Sequence, residues 1–185
     1  MTAESIMTSR LKTLHPTDTV AHAVRLMHRH EIRNLPVVDD QGCFIGLFGI
    51  RRLSRILLPK AATNLDRYNL TDLSFLPDDS GEMHERLRKA GNRPVSEFLE
   101  KKRKLVFCSP KTTFPELLEL LDTSSDTSLP VIVVKGKQKQ KQLVGIISAW
   151  DVLEKVAVEV FSNEPVNTPG HKINIQDVPP QASDR

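Results

Sequence analysis

The chain carries one pattern twice. Residues 11–38 read "LKTLHPTDTVAHAVRLMHRHEIRNLPVV", and residues 105–132 read "LVFCSPKTTFPELLELLDTSSDTSLPVI". A single constant shift superposes them without a gap. Leu11 falls on Leu105, Pro16 on Pro110, Thr19 on Thr113, Leu26 on Leu120, and Leu35-Pro36-Val37 on Leu129-Pro130-Val131. Beyond a loop of unequal length, "FIGLFGIRR" (44–52) falls on "LVGIISAWD" (143–151). The identities are few, but they keep their spacing and order. An internal repeat of this length constrains the fold before any other feature does.

Each copy reads as β-α-β-β-α, so the fold class is α/β (α+β). A short strand ends near His15-Pro16 or Ser109-Pro110. In the first copy Val20, Ala23, Val24 and Met27 share one helical face; in the second, Phe114, Leu117, Leu118 and Leu121 do so. Thr113 and Glu116 have capping-box spacing. Leu35 to Val38 and Leu129 to Val134 are buried-strand runs, followed by the hairpin loops "DDQG" (39–42) and "KGKQKQKQ" (135–142). Cys43 to Phe48 and Leu143 to Ile147 are the return strands, and second helices begin near Gly49 and Ser148.

Ser148 and Asp151 close the second copy with two readings. Ser-x-x-Asp before an apolar-periodic segment is a helix N-cap with its capping-box partner. The same atoms suit a ligand, because a helix N-terminus attracts phosphate and an aspartate can accept from ribose hydroxyls.

Bulk properties narrow the field. The chain has 185 residues, 39% of them apolar, enough for a packed core. A net charge of +3 does not by itself imply nucleic acid. Two cysteines, Cys43 and Cys108, make neither a disulfide framework nor a metal site. The six histidines show no HExxH and no cysteine partner, so no metal is expected. No Ser-His-Asp or Cys-His signature marks a catalytic centre. No run approaches the ~18 apolar residues of a membrane helix, and "MTAESIMTSRLK" lacks the apolar stretch of a signal peptide. A cytoplasmic protein without a membrane partner is expected.

The two copies resemble CBS domains, named after cystathionine β-synthase. The likeness covers roughly residues 3 to 58 and 94 to 158, and is carried by the "LPVV" strand and the G-Φ-Φ-S/T-x-x-D turn. Two in tandem resemble a Bateman module of the stand-alone bacterial type. The resemblance implies two β-α-β-β-α units about a pseudo-two-fold axis. It also implies adenosine compounds (AMP, ADP, ATP or S-adenosylmethionine) in the clefts between them, and dimerisation into flat discs. The expected division is 1–58 for the first domain, 59–93 for an inserted connection with a helix, 94–161 for the second domain, and 162–185 for a disordered tail.

In that family the Ser/Thr and Asp of the turn contact the ligand, and Ser148 and Asp151 match both. The first copy departs: Gly49 stands in the hydroxyl position and Arg52 in the carboxylate position. One functional cleft is expected rather than two. Arg51, Arg52 and Arg55 crowd the first turns of a helix, where cations oppose the helix dipole by roughly 0.3–1 kcal/mol each. They read either as a solvated basic turn or as partners of a nucleotide's phosphates. Family geometry places the adenine slot near Leu105, Val106 and Phe107 and the Leu129-Pro130-Val131 strand. Ile32 and Pro36 take the family's Ile-x-x-x-Pro positions, whereas Asp126 replaces the isoleucine in the second copy.

Outside the repeat, "DDSGEMHERLRKAGNRP" (78–94) reads as a helix that Gly91 and Pro94 stop. Its plain role is to cover a sheet edge or a cleft opening. "EKKRK" (100–104) and "KGKQKQKQ" are basic but lack interleaved aromatics and any recognised motif, so nucleic acid is not the expected partner. The function expected is a non-enzymatic regulatory module that senses an adenosine nucleotide and signals to a target protein. The alternatives are a scaffold or oligomerisation module without ligand and, last, a nucleic-acid adaptor. A homodimer is expected, with Leu117, Leu121 and Val156 as candidate apolar surface.

Overall fold

The computed structural model describes residues 1–58, 80–100, 105–123, 129–136 and 141–161. The 59–79 part of the inserted connection, Asp126 and the 162–185 tail lie outside these residues, as do positions 101–104 and 137–140 of the basic clusters.

The first half contains α1 (Ala3–Ile6), α2 (Val20–His30), β1 (Asn34–Val38), β2 (Phe44–Gly49) and α3 (Ile50–Leu57). Then come α4 (Ser80–Gly91) and a 3-10 turn (Val95–Phe98). The second half contains β3 (Phe107–Cys108), α5 (Phe114–Thr123), β4 (Val131–Lys135), β5 (Gln142–Ile147) and α6 (Ala149–Phe161). β4 pairs antiparallel with β5 and parallel with β3. β1 pairs antiparallel with β2, and Leu14 makes a parallel bridge to Val37 where β3 lies in the other half.

Helical faces follow the apolar spacing, with one correction. In α2, Val20, Ala23 and Met27 are buried and Val24 packs beside them. In α5, Leu117 is fully buried with Phe114, Leu120 and Leu121 against it, whereas Leu118 is 43% exposed. Four leucines in the run "LLELL" fit either neighbouring stripe, so spacing alone does not choose between Leu118 and Leu120. Thr113 N–H donates to Glu116 Oε2 at 2.8 Å, as the capping-box spacing requires.

The ungapped superposition fails at one strand. β1 carries a bulge between Val37 and Val38, and β4 between Val133 and Val134. Gly46 faces Val37, and Gly145 faces Val133. The structural partner of Leu35 is therefore Val131, two residues beyond the repeated Leu129, and that of Asn34 is Pro130. A slip of two leaves inward and outward faces unchanged, because strand side chains alternate with period two. Hydrophobic pattern cannot detect it.

The packing units are interleaved along the chain. Residues 1–8 dock on the second half: Ala3 N–H donates to Thr112 O, Glu4 N–H to Pro110 O, and Thr8 N–H to Ile146 O. Residues 94–100 dock on the first half in the same manner: Val95 N–H donates to Asp18 O, Ser96 N–H to Pro16 O, and Glu100 N–H to Leu47 O. Ala3 and Ile6 thus join a core with Leu117, Val131, Val133, Ile147 and Val152. Val95 joins one with Leu14, Val20, Leu35, Val37 and Phe48.

The pseudo-two-fold axis passes between the hairpins. Phe44 N–H donates to Lys141 O at 2.8 Å, and Leu143 N–H to Gly42 O at 3.1 Å. Beneath them Phe44, Leu47, Leu105, Leu129 and Ile132 form a third core shared by both halves. The inserted helix α4 packs on α2 and α3, with Arg86 Nε donating to Leu57 O at 2.7 Å. It covers helices of the first half rather than a sheet edge.

Candidate functional site

β5 delivers the chain to Ser148, and α6 begins one residue later. A helix start leaves backbone N–H groups without intrahelical acceptors. The Asp151 carboxylate folds back to meet them: Oδ2 accepts from Ser148 N–H at 2.6 Å and from Ser148 Oγ. In return Asp151 N–H donates to Ser148 Oγ at 3.3 Å. The other oxygen, Oδ1, accepts from Thr8 Oγ1 at 2.9 Å. An ionised carboxylate offers about four acceptor positions, and these donors fill three. The group is anchored at the positive end of a helix and keeps capacity for a further donor.

A groove of about 360 Å³ opens beside it, lined by Ile6, Thr8, Asp151, Glu154, Lys155 and Val158. That volume is at the small end of ligand sites, about 300–1,000 Å³. A second hollow of about 200 Å³ lies on the seam between the halves, between Ser9, Leu11 and Thr13 on one side and Leu143 and Val144 on the other. Thr8 lines the groove, and the next residue, Ser9, lines the seam hollow.

The other sequence candidates divide into two places. Val106, Pro130 and Val131 stay with the second half. Val106 O accepts from Ile132 N–H at 2.8 Å, and Val131 pairs with Ile147 immediately before Ser148. Val131 is 1% exposed and Pro130 is buried, so their side chains fill the core. Phe107 meets Phe44 edge to face, with ring centroids 5.7 Å apart, and Lys141 Nζ sits 3.8 Å from its centroid.

Arg51, Arg52 and Arg55 all lie on α3, in the first half, and none lines the groove beside Asp151. Arg52 turns toward the 94–100 segment. One guanidinium nitrogen donates to Leu99 O, and Nε stands 3.3 Å from Glu100 Oε2. Burial pushes the Arg52 pKa down, Glu100 pushes it back up, and Arg55 pushes it down again. Gly49 is the N-cap of α3 and supplies no capping side chain. A Cβ there would overlap Asn34 Oδ1, so the asparagine occupies the space that a serine hydroxyl would need.

Sequence reading missed Thr8, Lys155 and Glu100. Thr8 and Asp151 are 143 residues apart in the chain. Segments 2–8 and 94–100 share no identical residue in register, only apolar positions (Ala3 with Val95, Ile6 with Phe98, Met7 with Leu99). That spacing is the one signal that could have aligned Thr8 with Glu100.

Cys108 is buried in the second half's core, and burial raises its thiol pKa, the opposite of what a nucleophile needs. Among the described residues no group of three or more His, Cys, Asp or Glu is placed to hold a metal. No described helix is long and apolar enough to cross a membrane.

Comparisons with known proteins agree with this architecture. The CBS domain family model matches residues 3–59 and 95–158. A CBS domain-containing protein of Dictyostelium discoideum is 25% identical over 151 residues, which is 82% of this chain and 88% of that protein. A homoserine O-acetyltransferase of Methanohalophilus mahii is 33% identical over 54 residues, 29% of this chain, and the match spans 11% of that enzyme. Among solved structures, the CBS-pair protein CBSX2 from Arabidopsis thaliana superposes with a TM-score of 0.59 at 21% identity, covering 88% of this chain and 97% of that one. A structure of CBSX2 in complex with AMP gives a TM-score of 0.58 at 20% identity, covering 84% and 95%. With two matched segments, each built as β-α-β-β-α about a shared axis, the chain belongs to the CBS domain family as a tandem CBS pair.

Proposed function

We propose that this tandem pair is a regulatory module that binds one adenosine nucleotide at the N-terminus of α6 and signals its occupancy to a target protein. The observation that carries the reading is the Asp151 carboxylate, fixed by Ser148 and Thr8 beside a groove with acceptor capacity to spare. Asp151 would accept from the ribose hydroxyls, while Ser148 and the helix dipole face ribose or phosphate. The seam hollow near Leu11 and Leu143 suits the base. Support by likeness comes from CBSX2, whose structure was solved with AMP. Phosphates would lie toward Lys155, or toward Arg51 and Arg55; Arg52 is committed to Glu100.

The test is calorimetric titration of wild type and Asp151→Ala with adenosine, AMP and ATP. Loss of charge-assisted hydrogen bonds, each worth ~1.5–3 kcal/mol, should weaken all three ligands together. Arg51→Ala and Arg55→Ala should affect ATP more than adenosine if they meet phosphate. Unchanged affinity in a folded Asp151→Ala would return the chain to the scaffold reading.

A homodimer belongs to the same proposal, with its surface reassigned. Leu117 is fully buried, and Leu121 and Val156 pack on the core, so they do not form an outer face. Most of the exposed large apolar side chains among the described residues are on α6: Trp150 at 71%, Leu153, Val158, Val160 and Phe161. Several large apolar side chains exposed on one helix offer a surface for the second copy. Light scattering at tens of micromolar that finds only monomer, with and without AMP, would remove the dimer from the proposal.

A further inference from the structure

The same position in the two halves holds different chemistry. Thr8 N–H meets Ile146 O, and Glu100 N–H meets Leu47 O. Ile146 and Leu47 are themselves equivalent, because Ile146 pairs with Ile132 one residue before Val133, and Leu47 with Pro36 one residue before Val37. Thr8 and Glu100 are therefore counterparts, as are Asp151 and Arg52. In the second half a neutral hydroxyl touches a carboxylate on the helix. In the first half the carboxylate comes from the docked segment and the cation from the helix.

The exchanged pair is largely withdrawn from solvent. Glu100 is 4% exposed and is the buried charged residue of the described chain. The Arg52 side chain is 14% exposed. Burying a carboxylate without a partner is prohibitive, so this pair must form together. Arg52 grips two consecutive residues, the Leu99 carbonyl and the Glu100 carboxylate. Asn34 fills the neighbouring hydroxyl position, at a place where the second half has Pro130 and a serine. Three positions that would receive a ligand in one half are thus filled by protein groups in the other.

We propose that Arg52 and Glu100, with Asn34 beside them, form a built-in lock that occupies the first half's counterpart of the Asp151 site, so that the chain takes one nucleotide and only the second half answers to it. The stoichiometry rests on the nucleotide reading above; the lock itself does not. Beyond the backbone hydrogen bonds common to both, the 94–100 segment adds an internal ion pair, whereas the 1–8 segment adds a hydroxyl whose carboxylate partner a ligand can share.

Two measurements on the full chain test this. The first is a double-mutant cycle in chemical denaturation with Arg52→Met, Glu100→Met and the double variant. Each single change strands a buried charge and should lower the folding equilibrium constant about a hundredfold or more, and the double variant should recover most of that loss. If the singles do not fold but the double does, the lock is supported. Additive losses, or singles indistinguishable from wild type, overturn it.

The second is calorimetric stoichiometry with AMP. Wild type should bind one AMP per chain. A transplant carrying Asn34→Pro, Gly49→Ser, Arg52→Asp and Glu100→Thr should bind two, and adding Asp151→Ala to it should return the count to one. Two AMP on wild type, or one remaining on Asp151→Ala alone, overturns the lock. So does a transplant that circular dichroism finds folded and that still binds one. If wild type binds no AMP, the nucleotide reading fails, and the denaturation cycle still decides whether the lock exists.

Discussion

The two halves share a topology and differ in how it is closed. In the first half α3 runs for eight residues, is held by the Arg52–Glu100 pair and is covered by α4. In the second half α6 runs for thirteen residues and presents Trp150 and Leu153 to solvent. Its N-terminus ends in a carboxylate beside a groove. The inserted helix falls on the half in which Gly49 and Arg52 stand where the other has Ser148 and Asp151. Duplication supplies one scaffold, and a handful of side chains at equivalent points give the copies different chemistry, a closed ion pair in one and a carboxylate beside a groove in the other.

The sharpest way to break this contrast is to truncate the counterpart side chains. Glu100→Ala leaves the largely buried Arg52 with the Leu99 carbonyl but no counter-charge and should cost about 3 kcal/mol. Thr8→Ala removes one exposed hydroxyl hydrogen bond and should cost ~1 kcal/mol. Urea denaturation of both variants gives the comparison directly; equal losses would mean that the two positions are not functionally distinct.

A smaller and more symmetrical effect is expected at the paired glycines. A Cβ on Gly145 would stand 2.5 Å from Met7 Sδ and 3.0 Å from Met7 Cβ, and one on Gly46 would stand 2.7 Å from Leu99 Cδ1 and 3.2 Å from Leu99 Cβ. Gly145→Ala and Gly46→Ala should each cost about 1–3 kcal/mol by overpacking. Gly145→Ala should cost more, because contact reaches the root of the methionine side chain, where rotamer changes give no relief. Melting temperatures that reverse this order would question how the 1–8 segment is seated.

Below that lies the helix cap. Ser148→Ala should lose about 0.5–2 kcal/mol, typical of a missing N-cap. Gly49→Ser should gain nothing, since Asn34 already fills the space. A stabilised Gly49→Ser in thermal denaturation would show that the asparagine moves aside easily.

The smallest effect is a pH dependence confined to one half. Hydrogen bonds from the Thr113 backbone and hydroxyl hold the Glu116 carboxyl below its ordinary value. A depressed carboxyl pKa contributes stability above the unfolded value, about 4.3, and that contribution fades as pH falls through the folded value. Glu116 is fully exposed, so the signal is local. The Thr113 amide proton shift should titrate below that pH and stop doing so in Glu116→Gln. At the equivalent cap Thr19 receives His22 N–H, so its amide should show no such step.

Much of the fold was legible because neighbouring residues create the signals. The β-α-β-β-α order, the buried stripe of α2 and the Ser148–Asp151 and Thr113–Glu116 boxes all arise within a few residues, where helix and strand periods fix who meets whom. The departure at Gly49 and Arg52 was legible too, because a repeat makes its own exceptions visible.

What tertiary structure alone decided involves segments that spacing cannot relate. The two-residue slip of β1 against β4 is invisible to a period of two. Leu120 rather than Leu118 packs on the core, a choice between two identical side chains that their chemistry does not make. Above all, the docking of residues 1–8 on the second half and of 94–100 on the first set Thr8 against Asp151 and Glu100 against Arg52. Those contacts form only when distant chain ends close around shared cores. The physical reason is that local patterns follow from backbone geometry, whereas a partner far along the chain is chosen by where the whole core places it.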